Sequence, residues 1–370
     1  MEFTIRKLPE ICEIKTGKRD ANHATKNGKY RFYTCANQYS FCDTFSFNGK
    51  SVIVPGNGDI GLVFYYDGEF EAYQRTYVLQ NININAKYLY YHLLYKWRYV
   101  NTDKQFGSTV RYVRMSNFTS YTLPVPSLPE QERIVSKIEE LFSELDNGVE
   151  TLKKTKQQLA VYRQSVLKDA FASCTKKVTV ESVCQHVTDG DHMPPPKTKN
   201  GIPFIMISNI ENHVIDWSNT AFVGDEYYNN IDNKRRPAKG DVLYTVTGSY
   251  GIPVLIDFEK EFCFQRHIAL LRPKDIIKQK FLYYAMQEPG VYAQATKGAT
   301  GTAQKTVGLA VLRKIQIPFC DDIDTQTEIV NDIEAKMSLC DSIEKTVDTV
   351  LQQAEAMRQS ILKKAFEGEL

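Results

Sequence analysis

The side chains with the most chemical potential in this chain lie in polar loops, and few are spaced for making or breaking bonds. Asp189-Gly190-Asp191-His192 offers metal-ligand atoms, but no further ligand follows at a usable spacing, so a polar loop is the plainer reading. Glu334-Ala335-Lys336 has the letters that end one nuclease motif, yet it falls inside a heptad-patterned stretch with no strand around it. His23, His92, His186 and His213 have no paired nucleophile. No Walker A run, no Gly-x-Gly-x-x-Gly after a strand and no Asp/Asn-Pro-Pro-Tyr motif occurs. Catalysis by the chain alone is therefore not expected, and neither a metal nor a directly bound cofactor is.

Recognition suits the loops better. Reading duplex DNA takes cations for phosphates and amide, hydroxyl or guanidinium groups for base edges. Arg matches guanine, and Asn or Gln matches adenine, through paired hydrogen bonds. In the first half of the chain the candidates are Lys18, Arg19, Lys26, Asn37, Gln38, Asn57, Arg75, Ser108 and Arg111. In the second they are Lys197, Lys199, Asn209, Thr247, Ser249, Tyr250, Arg266, Thr300, Thr302 and Gln304. Each taken singly is equally a solvated group or a turn former; the loops as sets carry the expectation. Lys234-Arg235-Arg236 fits phosphate contact or a solvated turn equally well.

Loops so scattered need elements to hold them, and the strongest element occurs twice. Gln131–Phe171 and Gln326–Phe366 align without a gap, with about two-fifths of positions identical, clearest in YRQSVLKDAF against MRQSILKKAF. Ile138, Leu145, Leu152, Leu159 and Val166 recur every seventh residue, as do Ile333, Cys340, Val347, Ala354 and Ile361. A second stripe holds Ile134 and Leu141, then Ile329, Ile343, Val350 and Met357. This a/d pattern predicts two long helices pairing as an intramolecular coiled coil. Ser127-Leu128-Pro129-Glu130 and Thr325-Gln326-Thr327-Glu328 fit capping boxes at their starts. Gly148, on the first seam, predicts a local bend or a close helix approach.

The rest is β-rich, with short apolar runs such as Tyr30–Thr34, Ser51–Pro55, Phe204–Ser208 and Asp241–Thr245 between Gly, Asn and Asp turns. Ala86–Tyr99 and Ile277–Met286 read as a matching helix pair. Weaker echoes link Gly58-Asp59-Ile60-Gly61 to Gly248-Ser249-Tyr250-Gly251, Gln74-Arg75 to Gln265-Arg266, and the loop from Gly107 to the loop from Gly298. The expected architecture is α+β and pseudo-twofold. A recognition domain at 1–126 precedes a central helix at 127–175; a second at 176–319 precedes a distal helix at 320–370.

Composition sets broad limits. Formal net charge is +2 and mean hydropathy is −0.37, so no overall basic character announces nucleic acid. Locally, Lys15 to Arg31 carries six cations against Asp20, while Glu130 to Glu150 is acidic. No apolar run of about 20 residues is present. The N-terminal MEFTIRKLPEIC has no apolar leader, and the eight cysteines form no CxxC pair. Reduced thiols and a cytoplasmic location are expected.

One stretch is nameable. LPVPSLPEQERIV, from Leu123 to Val135, resembles the entry to a spacer helix in specificity subunits of type I restriction–modification enzymes. The order of globule, long helix, globule, long helix and the duplicated RQSxLKxAF ending resemble that family too. The second copy departs at IQIPFCDDIDTQTEIV, where the Pro-Glu-Gln core is replaced. The resemblance implies that each recognition domain reads one half of a bipartite, asymmetric double-stranded DNA target, with the coiled coil fixing the gap. It implies two modification (methyltransferase) subunits carrying S-adenosylmethionine and restriction subunits using ATP and Mg²⁺. Two other readings stay open from the residues alone, a stand-alone DNA-binding regulator and a structural coiled-coil adaptor.

Overall fold

Five consecutive buried residues, Ser51–Pro55, form the centre of the first β-rich body. An uninterrupted Ser-Val-Ile-Val-Pro run becomes such a strand when both its faces are covered. The computed structural model describes residues 3–107, 109–192 and 195–370. The chain packs as two compact units, Met1–Lys153 with Asp348–Leu370, and Lys154–Val347.

In the first unit, Glu13–Thr16, Thr76–Gln80, Ser51–Pro55 and Phe64–Tyr66 form an antiparallel sheet in that spatial order. A smaller sheet sets Tyr30–Tyr33 between Ser40–Cys42, antiparallel, and Phe70–Ala72, parallel. Thr4–Lys7 returns onto Thr122–Val125, pairing Thr4 with Val125. The helix Ala86–Asn101 starts where the Asn85 side chain accepts from the Lys87 and Tyr88 amides at 3.0 and 3.2 Å. Leu89, Leu93 and Trp97, spaced by four, are fully buried on its inner face.

The second unit repeats this wiring. Cys184–Asp189, Ile268–Pro273, Val242–Thr245 and Pro253–Leu255 follow the same order. Ile202–Ile205 again has a parallel neighbour, Cys263–Phe264. Lys176–Thr179 pairs with Gln316–Phe319 just as Thr4–Lys7 pairs with Thr122–Val125. An added hairpin, Ile210–Glu211 with Val214–Ile215, turns through Asn212 and His213 at φ +49° and +64°. Two left-handed residues in succession make the tight turn that suits a twisted hairpin.

The two expected long helices span Leu128–Ala170 and Ile323–Glu367. In the first unit Ile134, Val135, Ile138 and Phe142 share a core with Leu362 and Ala365, and Asp146 pairs with Arg358. In the second unit Leu167 and Phe171 share a core with Ile329, Val330 and Ile333. Arg163 there meets Asp341 at 2.7 Å and Glu344 at 3.1 Å. Within each unit the two helices therefore run antiparallel.

Several expectations are corrected. Ile138, Leu159, Val166, Ile333, Cys340, Val347 and Ala354 of the first stripe are buried, but Ile343, Val350 and Met357 of the second are exposed. Ile134 and Ile329 of the second stripe are buried in the two unit cores, so each stripe is covered over only part of its length. The second helix starts at Ile323 with Asp322 bonding the Thr325 amide and hydroxyl at 2.8 and 2.6 Å, ahead of the box centred on Thr325. The first helix runs unbroken through Gly148, and nothing lies within 4 Å of where its Cβ would be, so the close approach is absent. Cys174 and Cys320 form a disulfide, against the expectation of reduced thiols throughout. The pairing of Lys176 with Phe319 brings those flanking residues together, with Cα atoms 5.5 Å apart.

Candidate nucleic-acid interface

Each unit presents a polar hairpin docked against a glycine turn of its main sheet. In the first, Phe106 and Tyr112 exchange amide–carbonyl bonds at 2.9 Å. Gly107 turns the chain at φ +88°, where a Cβ would fall 2.4 Å from the Val110 carbonyl oxygen, so only glycine fits. The hairpin is tied down by Val113 N donating to Gly56 O at 2.8 Å and Gly58 N to Arg111 O at 3.2 Å. In the second unit Thr300 and Thr306 exchange the same bonds at 2.9 and 2.7 Å around Gly301 at φ +105°. Its ties are Val307 N to Val246 O at 2.8 Å and Gly248 N to Lys305 O at 2.9 Å.

These bonds match the two interfaces residue by residue. Arg111 answers to Lys305, Tyr112 to Thr306, Asn57 to Thr247, and Gly107 to Gly301 rather than Gly298. The Tyr73 amide donates to Tyr33 O at 2.9 Å and the Gln265 amide to Ile205 O at 3.0 Å. Gln74 and Arg75 therefore answer to Arg266 and His267, one residue later than the sequence echo placed them.

The predicted residues divide into surface groups and internal ones. Lys18, Lys26, Asn37, Gln38, Arg75 and Arg111 are exposed. Arg75 lines a cleft of about 390 Å³ with Gln74, Tyr112 and Arg114. Arg19 is committed: its Nε lies 3.2 Å from the fully buried Glu71 carboxylate, which also accepts from Ser46 Oγ at 2.8 Å. Asn57 is half-buried, and among the described residues its Oδ1 has no hydrogen-bond partner. Ser108 lies outside the described residues. Arg31 is held between the Tyr39 and Tyr66 rings, 4.4 Å from each centroid.

In the second unit Lys197, Lys199, Ser249, Arg266, Thr300, Thr302 and Gln304 are exposed. The Gln304 amide lies over Gly248, 3.0 Å from its would-be Cβ. Tyr250 is half-buried, stacked on Tyr292 at 5.7 Å and donating to Thr296 Oγ1. Asn209 and Thr247 are internal, which corrects their expected place at the surface. Asn209 spends its amide on the Met206 amide and the Asp216 and Asn219 carbonyls. Thr247 Oγ1 accepts from Thr306 Oγ1 at 3.3 Å. Arg235 and Arg236 bond backbone carbonyls of Gly190, Asn229 and Ile231, so these two are built into their turn, while Lys234 is exposed. In the Asp189–His192 loop, Asp189 meets His192 at 2.9 Å and Tyr227 donates to Asp191 at 2.8 Å. His267 lies below the usual imidazole value because of burial, helped by the neighbouring Arg266 charge.

One pair of positioning residues escaped the sequence reading. Gln131 Oε1 accepts from the Asn85 amide at 2.8 Å, and its Nε2 donates to Pro126 O at 2.8 Å. Gln326 Oε1 accepts from the Lys278 amide at 2.8 Å, and its Nε2 donates to Ile276 O and Cys320 O at 3.0 and 2.8 Å. Both glutamines are buried, and each locks the start of its unit's shorter helix to a long helix. Lys87–Glu139 at 2.5 Å and Lys280–Glu334 at 2.6 Å repeat the same join as ion pairs. The signal was available, since these glutamines open the two copies of the repeat.

The duplicated wiring has a counterpart among known proteins. The family described as type I restriction modification DNA specificity domain matches residues 1–160 and 176–353. The chain belongs to this family. Among relatives of the specificity family, the type I restriction enzyme EcoDI specificity subunit of Escherichia coli is 28% identical over 397 aligned positions. That match covers 98% of this chain and 87% of the relative. The EcoBI specificity subunit, also of Escherichia coli, is 26% identical and covers 87% of this chain and 74% of its own length. In fold, the chain resembles one solved in work on complex assembly and conformational transition of the type I R-M system. Its TM-score is 0.74 at 18% identity, covering 100% of this chain and 98% of that one. The HsdS subunit from Thermoanaerobacter tengcongensis gives a TM-score of 0.59 at 17% identity, with 100% and 97% coverage. As expected for a specificity subunit, two β-rich domains alternate with two long helices. Among the described residues, no helix is long and apolar enough to cross a membrane.

Proposed function

We propose that this chain is the DNA-recognition subunit of a type I restriction–modification system, working in the cytoplasm without catalysing a reaction itself. Each β-rich unit reads one half of a bipartite, asymmetric duplex target through its hairpin and neighbouring loops. The single observation that carries this reading is the two interfaces with the same backbone bonding and different side chains: Arg111 against Lys305, Tyr112 against Thr306, Arg75 against His267. A scaffold kept constant beneath divergent polar groups is what two readers of two sequences require.

The long helices act as the spacer. Forty-three residues of continuous helix extend about 65 Å at 1.5 Å per residue, so helix length sets the unread gap between half-sites. Apolar side chains left exposed along the two helices supply docking surface. Leu339, Val350 and Met357 are exposed, and Leu145, Leu152, Val350 and Met357 line an apolar cleft of about 590 Å³ in the first unit. Two modification subunits bind there, one per repeat, bringing S-adenosylmethionine; restriction subunits bring ATP and Mg²⁺. Methylation sequencing of the host with the gene deleted and restored tests this. A bipartite methylated motif that disappears and returns with the gene supports it; an unchanged methylome overturns it.

A further inference from the structure

The two matched hairpins differ most at a position the sequence reading passed over. Arg114 follows the first hairpin, and the position that answers to it in the second unit is Gly308. The Arg114 guanidinium lies 4.1 Å from the Phe106 ring centroid and 5.4 Å from that of Tyr112, and its Nη2 donates to the Tyr112 hydroxyl at 2.9 Å. Two rings and a hydroxyl thus fix the plane of an exposed guanidinium. Among the described residues no carboxylate pairs with it, and Nε and Nη1 keep their donors free. Arg75 and Arg111, beside it, are also exposed, but no ring or side-chain bond among the described residues holds them.

Loose cations suit phosphates, whose charge is non-directional; a guanidinium held in one plane suits a base edge. Guanine presents two adjacent acceptors, O6 and N7, in the major groove. Adenine presents an acceptor beside a donor, and a guanidinium has no acceptor to meet that donor. On the reading that this chain recognises DNA, we infer that Arg114 reads a guanine in the half-site of the first unit, and that the second unit has no counterpart. The second hairpin offers Gln304 and Thr302 instead, so the two half-sites differ in the base read there.

The test is genome-wide methylation sequencing of the host carrying the gene as wild type, R114A, R114K or R114Q. The wild-type motif should hold a guanine at one position of one half. R114A and R114K should relax that position alone, lowering discrimination against the other bases on the order of ten- to a hundred-fold. R114Q should move the preference there toward adenine, and the other half should stay as it was. Three outcomes overturn the inference. One is that R114A lowers methylation evenly at every site with the motif intact, which marks a phosphate contact. The second is that the relaxed position is not guanine, or no position relaxes. The third is that all three variants accumulate normally yet methylate nothing. If the wild-type gene directs no bipartite motif at all, the DNA-recognition reading falls first and this inference with it.

Discussion

Replacing Gln326 by methionine keeps the side chain's length and removes three hydrogen bonds from the join between helix Gln279–Ala285 and the second long helix. The Lys278 amide, the Ile276 carbonyl and the Cys320 carbonyl lose their partner. A buried group left unpaired costs about 1–3 kcal/mol. Ile276 and Lys278 are exposed and Cys320 is half-buried, so each of the three groups recovers part of its loss from water. A total of about 2–4 kcal/mol follows, large for a substitution that creates no cavity. The two tryptophans, one per unit, make this readable, because Trp97 and Trp217 report on different bodies. In a W97F background, urea unfolding followed through Trp217 should shift to lower urea by about 1–2 M for Q326M, at a slope of about 2 kcal/mol per molar. Q131M should do the same to the Trp97 transition in a W217F background. A shift worth less than about 0.5 kcal/mol in either would mean that these glutamines do not hold the shorter helices to the long ones.

Burial drives the His92 imidazole down to about 3, with the Lys96 charge adding to it, while its Nδ1 meets the Tyr121 hydroxyl at 3.0 Å. The unfolded chain, titrating near 6.5, binds that proton first, so stability of the first unit falls as pH drops below about 6.5 toward 3. Between pH 7.5 and 5 the loss is about 2 kcal/mol. Urea midpoints read at Trp97 should show it, and H92Q should flatten the dependence; an equal slope in H92Q would exclude His92 as the source. Arg75 and Arg111 are expected to contact phosphates, so R75A and R111A should each reduce the salt slope of log K for duplex binding by about one. Unchanged slopes in titrations of the complex with DNA would remove them from the interface.

The repeat was readable because seven-residue periodicity and two copies of one segment survive in the letters. What lay beyond it was lost for specific reasons. Periodicity marks Ile343, Val350 and Met357 as apolar but does not say whether anything covers them. Asn209 has the amide of a base reader, yet a turn uses the same amide to satisfy its own backbone. Arg19 was one of six cations in a basic stretch, and only the fold shows that Glu71 lies buried beside it. Cys174 and Cys320 stand 146 residues apart, and it is strand pairing that joins their neighbourhoods. Arg114 was passed over because its distinction is its restraint by Phe106 and Tyr112, which no spacing rule encodes.

On the proposed function, helix length measures the distance between the two half-sites. Inserting one heptad at matched positions in both long helices adds about 10 Å of helix, roughly three base pairs of DNA at 3.4 Å each. Methylation sequencing of a host carrying that variant should return the same two half-sites with the gap lengthened by about three base pairs. The same half-sites at the original spacing would mean that the helices do not set the gap.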